Sequence, residues 1–92
     1  MTKISRTAIF KPMRDVVFTA AATRQWLKLP PQARKRIGTK LDAFAATGLG
    51  DIKKLKGQDG ARLRVGDYRV IFYQESGSIV VVAVGYWRDI YQ

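Results

Sequence analysis

The sequence has no cysteine and no histidine. Without cysteine the chain can form neither a disulfide nor a thiolate nucleophile, and nothing points to an oxidising compartment. Without histidine it lacks the commonest zinc ligand and the usual general base of enzymes. Any chemistry that the chain performs must therefore depend on lysine, arginine, tyrosine or carboxylate side chains.

Long apolar runs are also missing. The longest covers residues 79–85 and is far shorter than the roughly 20 residues that a membrane-spanning helix needs. The first 15 residues carry charges where a secretory signal would need an unbroken apolar stretch. We therefore expect a cytoplasmic protein with no membrane partner.

Acidic residues are scarce, because 7 Asp and Glu stand against 17 Lys and Arg in a chain of 92 residues, giving a net charge of +10. Such an excess favours polyanionic partners, nucleic acid above all, with an anionic membrane or an acidic protein as the other candidates. The hydrophobic content of 47% is that of a globular protein. The length suits one domain with a single core.

The first half of the chain predicts a strand followed by two helices. Residues 16–18 are β-branched or aromatic and predict the strand, and Thr19 is a good N-cap for a helix that the following prolines end near residue 29. A second amphipathic helix, with apolar residues every three or four positions, is expected from Pro31 to Gly48. The pattern therefore predicts two antiparallel helices joined by a tight link.

The second half predicts an antiparallel β-meander, because apolar residues begin to alternate with polar ones. Gly66-Asp67 has the composition of a two-residue hairpin turn, and a second turn is expected within residues 75–78. The expected strands are a short one at residues 52–55, within a basic connection, and longer ones at 61–65, 68–74 and 79–84.

The first hairpin places arginines on one face of the predicted sheet. A two-residue turn sets Arg64 opposite Arg69 and Arg62 opposite Ile71, and opposed residues point to the same side. Like charges directly opposite cost roughly 0.2–1 kcal/mol, so folding alone would not select this arrangement. We interpret the face as an anion site in which guanidiniums grip phosphates beside Tyr73. The alternative is a solvated surface on which arginine stems pack over Ile71 and Tyr73.

The register of the last strand decides what joins this face. A two-residue turn centred on Ser76-Gly77 would place Val84 opposite Arg69 and would add Tyr86 and Arg88 to the arginine face. A loop of odd length would direct both of these side chains into the core instead.

Two stretches, LKGQDGARLRVGDYRVIFY and SIVVVAVGYWRDIY, resemble toxins of the RelE/ParE superfamily from bacterial toxin–antitoxin pairs. The likeness covers the chain from about residue 15 onward, and the RelE branch is favoured. The features that carry it are Leu55-Lys56-Gly57, the run from Leu63 to Val70, and Val84-Gly85 followed by Arg88 and Tyr91.

The resemblance implies an α+β fold, with two N-terminal antiparallel helices packed on one face of a small antiparallel β-sheet. It assigns residues 15–92 to a single toxin domain. Residues 1–14 have no counterpart in the family pattern, and we expect a solvated basic extension there, although Ile9-Phe10 could add an edge strand.

The resemblance also implies an activity. RelE-branch toxins are ribosome-dependent endoribonucleases, or mRNA interferases, that enter the A site and inhibit translation. The ribose 2′-hydroxyl of the mRNA attacks the adjacent phosphate, which requires cationic groups where charge develops and groups that move protons. Such chemistry needs no metal or other cofactor. A short cognate antitoxin is expected to cover the sheet or a groove with a helix.

By position, the resemblance assigns roles to individual residues. The candidate catalytic residues are Arg62, Arg69, Arg88 and Tyr91. The two arginines on the sheet would hold the scissile phosphate, Tyr91 would stack on a base or transfer a proton, and Arg88 belongs to the terminal basic motif. The RNA-binding candidates are Lys53, Lys54, Lys56, Arg64, Tyr73 and Tyr86.

The chain departs from the family pattern at the end of the last strand. Many members have Gly-His-Arg-Arg where this chain has Gly85-Tyr86-Trp87-Arg88, and Gly60 stands at a position that is basic in the ribonuclease branch. Tyr86 and Trp87 could stack on bases in compensation, or they could be core aromatics of a member whose activity is altered or lost.

Three functions stay open on these grounds. The first is an mRNA endonuclease that acts on the ribosome and is inhibited by an antitoxin. The second is a binding toxin of the ParE kind, which poisons DNA gyrase without nuclease activity and which the missing His and Arg favour. The third is a non-toxic RNA-binding module, whose affinity would fall steeply as salt rises.

Overall fold

The computed structural model describes residues 14–90 of the chain, so the suggested strand at Ile9-Phe10 lies outside the described residues. The order of elements is a strand, two helices, four strands and a short helix. Their bounds are β1 Asp15–Phe18, α1 Ala20–Leu27, α2 Pro31–Thr47, β2 Ile52–Lys54, β3 Ala61–Val65, β4 Tyr68–Glu75, β5 Ser78–Tyr86 and α3 Trp87–Ile90. All predicted helices and strands are present, and α3 is an addition to them.

The two long helices begin and end where their sequences allow. At the N-cap of α1, the hydroxyl of Thr19 accepts a hydrogen bond from the backbone N–H of Ala22 at 3.1 Å. Helix α1 ends shortly before Pro30, which cannot continue it. Helix α2 ends at Gly48, whose φ of 78° is a left-handed conformation that favours glycine. None of the helices within residues 14–90 is long and apolar enough to cross a membrane.

The described strands form one five-stranded sheet in the order β1-β5-β4-β3-β2. Strands β2 to β5 pair in antiparallel fashion, as predicted. Strand β1 instead pairs in parallel with β5, with Val16 beside Ile79 and Phe18 beside Val81, so the sheet is mixed rather than purely antiparallel. The long connection through both helices and three strands lets the chain return in the same direction, which a parallel pair requires.

The helices cover one face of this sheet and form the core with it. Phe44 of α2 lies 5.1 Å from Phe72 of β4 between ring centroids, and Trp26 of α1 meets Phe18 of β1 edge-on at 5.4 Å. The buried core residues are Ala22, Leu29, Ala33, Ile37, Leu41, Phe44 and Ala45 from the helical region and Leu63, Val65, Val70, Phe72, Ile79, Val81 and Val84 from the sheet.

Arg14, the last residue of the predicted N-terminal extension, contacts the end of α2. Its guanidinium lies 4.7 Å from the ring centroid of Phe44 and donates to the carbonyl of that residue and to the Gln74 side chain at 2.6 Å. Its backbone N–H donates to the carbonyl of Ala45 at 3.2 Å. The last carbonyls of a helix lack partners within the helix, so Arg14 satisfies them and fixes the entry into β1.

Candidate nucleic-acid interface

The register of the first hairpin is the predicted one. Arg64 pairs with Arg69 and Arg62 with Ile71 across a turn in which Gly66 has a φ of 59°. The intervening Leu63 is buried among the helices, so the arginines point away from the core. We call this side of the sheet the open face and define it by Val17, Lys53, Arg62, Arg64, Arg69, Ile71, Tyr73 and Val80.

The open face contains two pairs of like charge rather than one. Besides Arg64 and Arg69, the edge strand β2 places Lys53 directly opposite Arg62. Each such pair costs roughly 0.2–1 kcal/mol compared with uncharged neighbours. A surface that holds this much uncompensated positive charge attracts anions, and phosphates suit the forked donors of arginine.

Acidic groups neutralise these arginines only weakly. Arg64 Nη1 lies 3.7 Å from Asp51 Oδ2, and the two side chains are 54% and 55% exposed. An exposed ion pair at this distance contributes little. Within residues 14–90 the side chain of Arg62 makes neither a hydrogen bond nor an ion pair with another described residue. The charge is therefore available to a ligand.

Arg69 is positioned by its own turn. Its Nη1 donates to the backbone carbonyls of Gly66 at 2.9 Å and Tyr68 at 3.0 Å. A guanidinium carries five N–H donors, and these two bonds use a single nitrogen. The contacts hold the group at the turn end of the open face and leave Nε and Nη2 for an anion.

A β-bulge changes the register of the last hairpin. The two-residue turn at Ser76-Gly77 forms as predicted, but a shift midway along the strands pairs Arg69 with Gly85, one residue later than expected. One extra residue sends every later side chain to the other side of the sheet. Tyr86 consequently lies opposite Tyr68 on the helix-covered side, with ring centroids 6.0 Å apart. The prediction that Tyr86 joins the arginine face is wrong.

The placement of Arg88 by strand register is wrong as well, because this residue lies in α3 rather than in the strand. The backbone N–H of Trp87 donates to the carbonyl of Asp67 at 2.9 Å, which docks α3 on the first hairpin turn. The Arg88 guanidinium lies 5.3 Å from the centroid of the Trp87 ring. A Cβ atom on Gly85 would lie 3.6 Å from Ile90, so α3 borders the end of the open face.

The other predicted site residues divide between the faces. Lys54 pairs with Ala61 on the helix-covered side, and Lys56 lies in the connection after β2. Tyr73 is 37% exposed on the open face. Tyr91 lies outside the described residues. The structure thus brings together Lys53, Arg62, Arg64, Arg69 and Tyr73 on one face. Of the others, Lys54 and Tyr86 lie on the helix-covered side, Lys56 lies in a connection, and Arg88 lies in α3 at the end of the open face.

Comparison with known proteins relates this geometry to toxins. Residues 16–91 match the family model described as the ParE toxin of type II toxin–antitoxin system, parDE. No curated protein sequence matches the chain significantly.

Solved structures share the fold. The RelB-RelE antitoxin–toxin complex from Methanococcus jannaschii matches with a TM-score of 0.69 and 26% identity, covering 82% of this chain and 94% of that one. The RelBE2 complex from Mycobacterium tuberculosis matches at 0.72 and 22%, covering 82% and 99%. The isolated RelE toxin of E. coli matches at 0.70 and 22%, covering 79% and 83%. These similarities confirm the α+β fold expected from the sequence.

Proposed function

Because the chain belongs to the ParE toxin family of type II toxin–antitoxin systems, we propose that it inhibits translation in the cytoplasm by cleaving mRNA on the ribosome. The observation that carries the proposal is the open face, on which Lys53 and Arg62 and then Arg64 and Arg69 stand as like-charged pairs. An arrangement that costs stability and attracts phosphates suits a surface selected for binding RNA.

The proposed reaction uses the RNA's own 2′-hydroxyl as the nucleophile. The 2′-hydroxyl gives up its proton as its oxygen bonds to the adjacent phosphorus, the bond from phosphorus to the 5′-oxygen breaks, and the leaving oxygen takes up a proton. Arg62 and Arg69 would neutralise the negative charge that grows on the phosphate. Tyr73 would stack on a neighbouring base. Tyr91 stays the predicted group for stacking or proton transfer, with Arg88 beside the site.

We further propose that a cognate antitoxin holds the toxin inactive. Four of the structurally similar toxins were solved as complexes with their antitoxins. With a net charge of +10 this chain suits a partner that brings acidic side chains to the open face. Membership of a toxin family leaves no support for the third hypothesis, a non-toxic RNA-binding module.

Primer extension on cellular mRNA after induction tests the proposal. We expect position-specific cuts inside reading frames for the wild type, and no cuts for Arg69→Ala or Arg62→Gln. The control is Arg24→Gln, which removes an equal charge from the exposed side of α1. If growth stops while mRNA on ribosomes stays uncut, the proposed activity is wrong.

A DNA gyrase poison of the ParE kind is the second candidate. The family model bears the ParE name, and the bulge removes Tyr86 from the arginine face, which leaves fewer groups there for RNA chemistry. A supercoiling assay with purified gyrase separates the two candidates. Inhibition of supercoiling together with intact mRNA would favour the gyrase poison, and unaffected supercoiling together with mRNA cuts would favour the ribonuclease.

A further inference from the structure

A second basic surface lies on the other side of the first hairpin, between this hairpin and α2. It is a cavity of about 330 Å³ that we call the α2 groove. Four of its seven lining residues are basic, and none is acidic. The lining residues are Lys35, Arg36, Thr39 and Lys40 of α2 with Arg64, Val65 and Gly66 of the hairpin.

The guanidinium of Arg36 lies over the hairpin turn. A Cβ atom on Gly66 would lie only 2.7 Å from Arg36 Nη2, so the guanidinium occupies the space that a side chain at position 66 would need. Gly66 also has a φ of 59°, where glycine is favoured. The same glycine thus forms the turn and leaves room for the guanidinium, which places this cation beside the lysines of α2.

The α2 groove and the open face form one continuous positive surface. Arg64 lines the groove and is also the cross-strand partner of Arg69 on the open face. Nearby acidic residues interrupt this surface little, because the pair of Asp51 with Arg64 is long at 3.7 Å and exposed. Asp42 of α2 lines a different cavity beside Val16 and Phe18. A polymer with a phosphate on every nucleotide can contact both surfaces at once, whereas a small anion can contact only one.

We propose that the α2 groove binds backbone phosphates of the nucleic acid whose other part lies on the open face. The proposal deepens the proposed function and rests on it for the second part of that contact. Affinity from phosphate contacts needs cations and little else. An acidic protein would instead need apolar anchors. The apolar lining residue, Val65, is only 4% exposed, so it offers such a partner no side-chain anchor.

The test measures binding of the full chain to two probes across a range of salt concentrations. One probe is a short single-stranded 2′-O-methyl RNA, which the proposed reaction cannot cleave, and the other is a short DNA duplex. The groove variant is K35Q/K40Q, which avoids the turn contact of Arg36. The control is R24Q/K28Q, which removes the same charge from α1 and its C-cap. Arg62→Gln reports on the open face.

Log affinity falls linearly as log salt rises, and each lost phosphate contact makes this line less steep by roughly 0.7 for a single strand and 0.9 for a duplex. We therefore expect K35Q/K40Q to make the line less steep by about 1.4 with RNA or about 1.8 with the duplex. The control should keep the wild-type slope. The probe that responds identifies the kind of strand in the groove.

Several results would overturn the inference. Equal losses in K35Q/K40Q and in the control would show that only net charge matters, and an unchanged slope in K35Q/K40Q would show that the groove is empty in the complex. If K35Q/K40Q keeps the wild-type slope with both probes but no longer binds the purified antitoxin, the groove would be a binding site for a protein. A loss confined to Arg62→Gln would overturn this inference and leave the proposed open-face binding intact. A loss confined to K35Q/K40Q would keep phosphate binding in the α2 groove and overturn binding on the open face, and with it the proposed contact across both surfaces.

Discussion

Neighbouring residues of β4 show how different the two faces of the sheet are. Phe72 is 2% exposed and packs against Phe44 of α2, whereas Tyr73, the next residue, is 37% exposed on the open face. Burial explains the large core side chains on the covered face. It cannot explain two cross-strand pairs of like charge on the other. One face stabilises the fold, and we propose that the other carries the function, so substitutions should separate the two effects.

The largest expected effect is on the covered face. Phe72→Ala should destabilise the protein by about 3–5 kcal/mol, because it removes a buried aromatic ring and leaves a cavity. Tyr73→Ala should cost less than about 1 kcal/mol, as exposed substitutions do, while lowering RNA affinity. Urea unfolding measures both. Similar losses of stability in the two variants would show that the open face is packed as tightly as the covered one.

Arginines on the two sides of the domain should also differ. Arg14→Ala should destabilise by about 1–2 kcal/mol, because it removes hydrogen bonds to the end of α2 and the contact with the Phe44 ring. RNA affinity should stay close to that of the wild type. Thermal or urea unfolding gives the stability, with Arg24→Ala as the exposed control. Equal stability of the two variants would contradict the anchoring role of Arg14.

On the open face, removing an arginine should not destabilise. Arg62→Gln should leave stability unchanged or raise it by about 0.2–1 kcal/mol, because its cross-strand neighbour is Lys53. The gain should shrink as salt screens the repulsion. Unfolding curves at low and high salt measure this. A marked loss of stability would mean that Arg62 has a structural partner.

The smallest effect concerns the weak ion pair at the edge of the open face. Asp51→Asn should change stability by less than about 0.5 kcal/mol, since the pair with Arg64 is long and exposed. RNA affinity should rise slightly, because the substitution removes a negative charge from the surface. Binding measurements at low salt, with Asp42→Asn on α2 as the control, would detect the rise. A fall in the RNA affinity of Asp51→Asn would contradict this prediction.

Local signals predicted most of the fold. Thr19, the prolines after α1, Gly48 and the Gly66-Asp67 turn each act on their own neighbours, so the elements that they bound were predicted correctly. Contacts between distant residues were harder. Arg14 was predicted to belong to a solvated basic extension. Its partners Phe44 and Gln74 lie 30 and 60 residues away along the chain.

The candidate site follows the same division. The open-face arginines were predicted because a two-residue turn fixes their register. The positions of Tyr86 and Arg88 were not predicted, because β5 is apolar on both sides of the bulge and no polar residue marks the change of register. The role of Arg36 at the first turn depends on how α2 packs against the hairpin, which helical periodicity does not reveal.

The central claim is that nucleic acid binds the open face of the sheet. Titration of isotope-labelled protein with uncleavable RNA, followed by NMR of backbone and arginine side-chain signals, tests it most directly. We predict that the largest shifts occur at Lys53, Arg62, Arg69 and Tyr73. Shifts confined to α1, with the signals of these four residues unmoved, would contradict the claim.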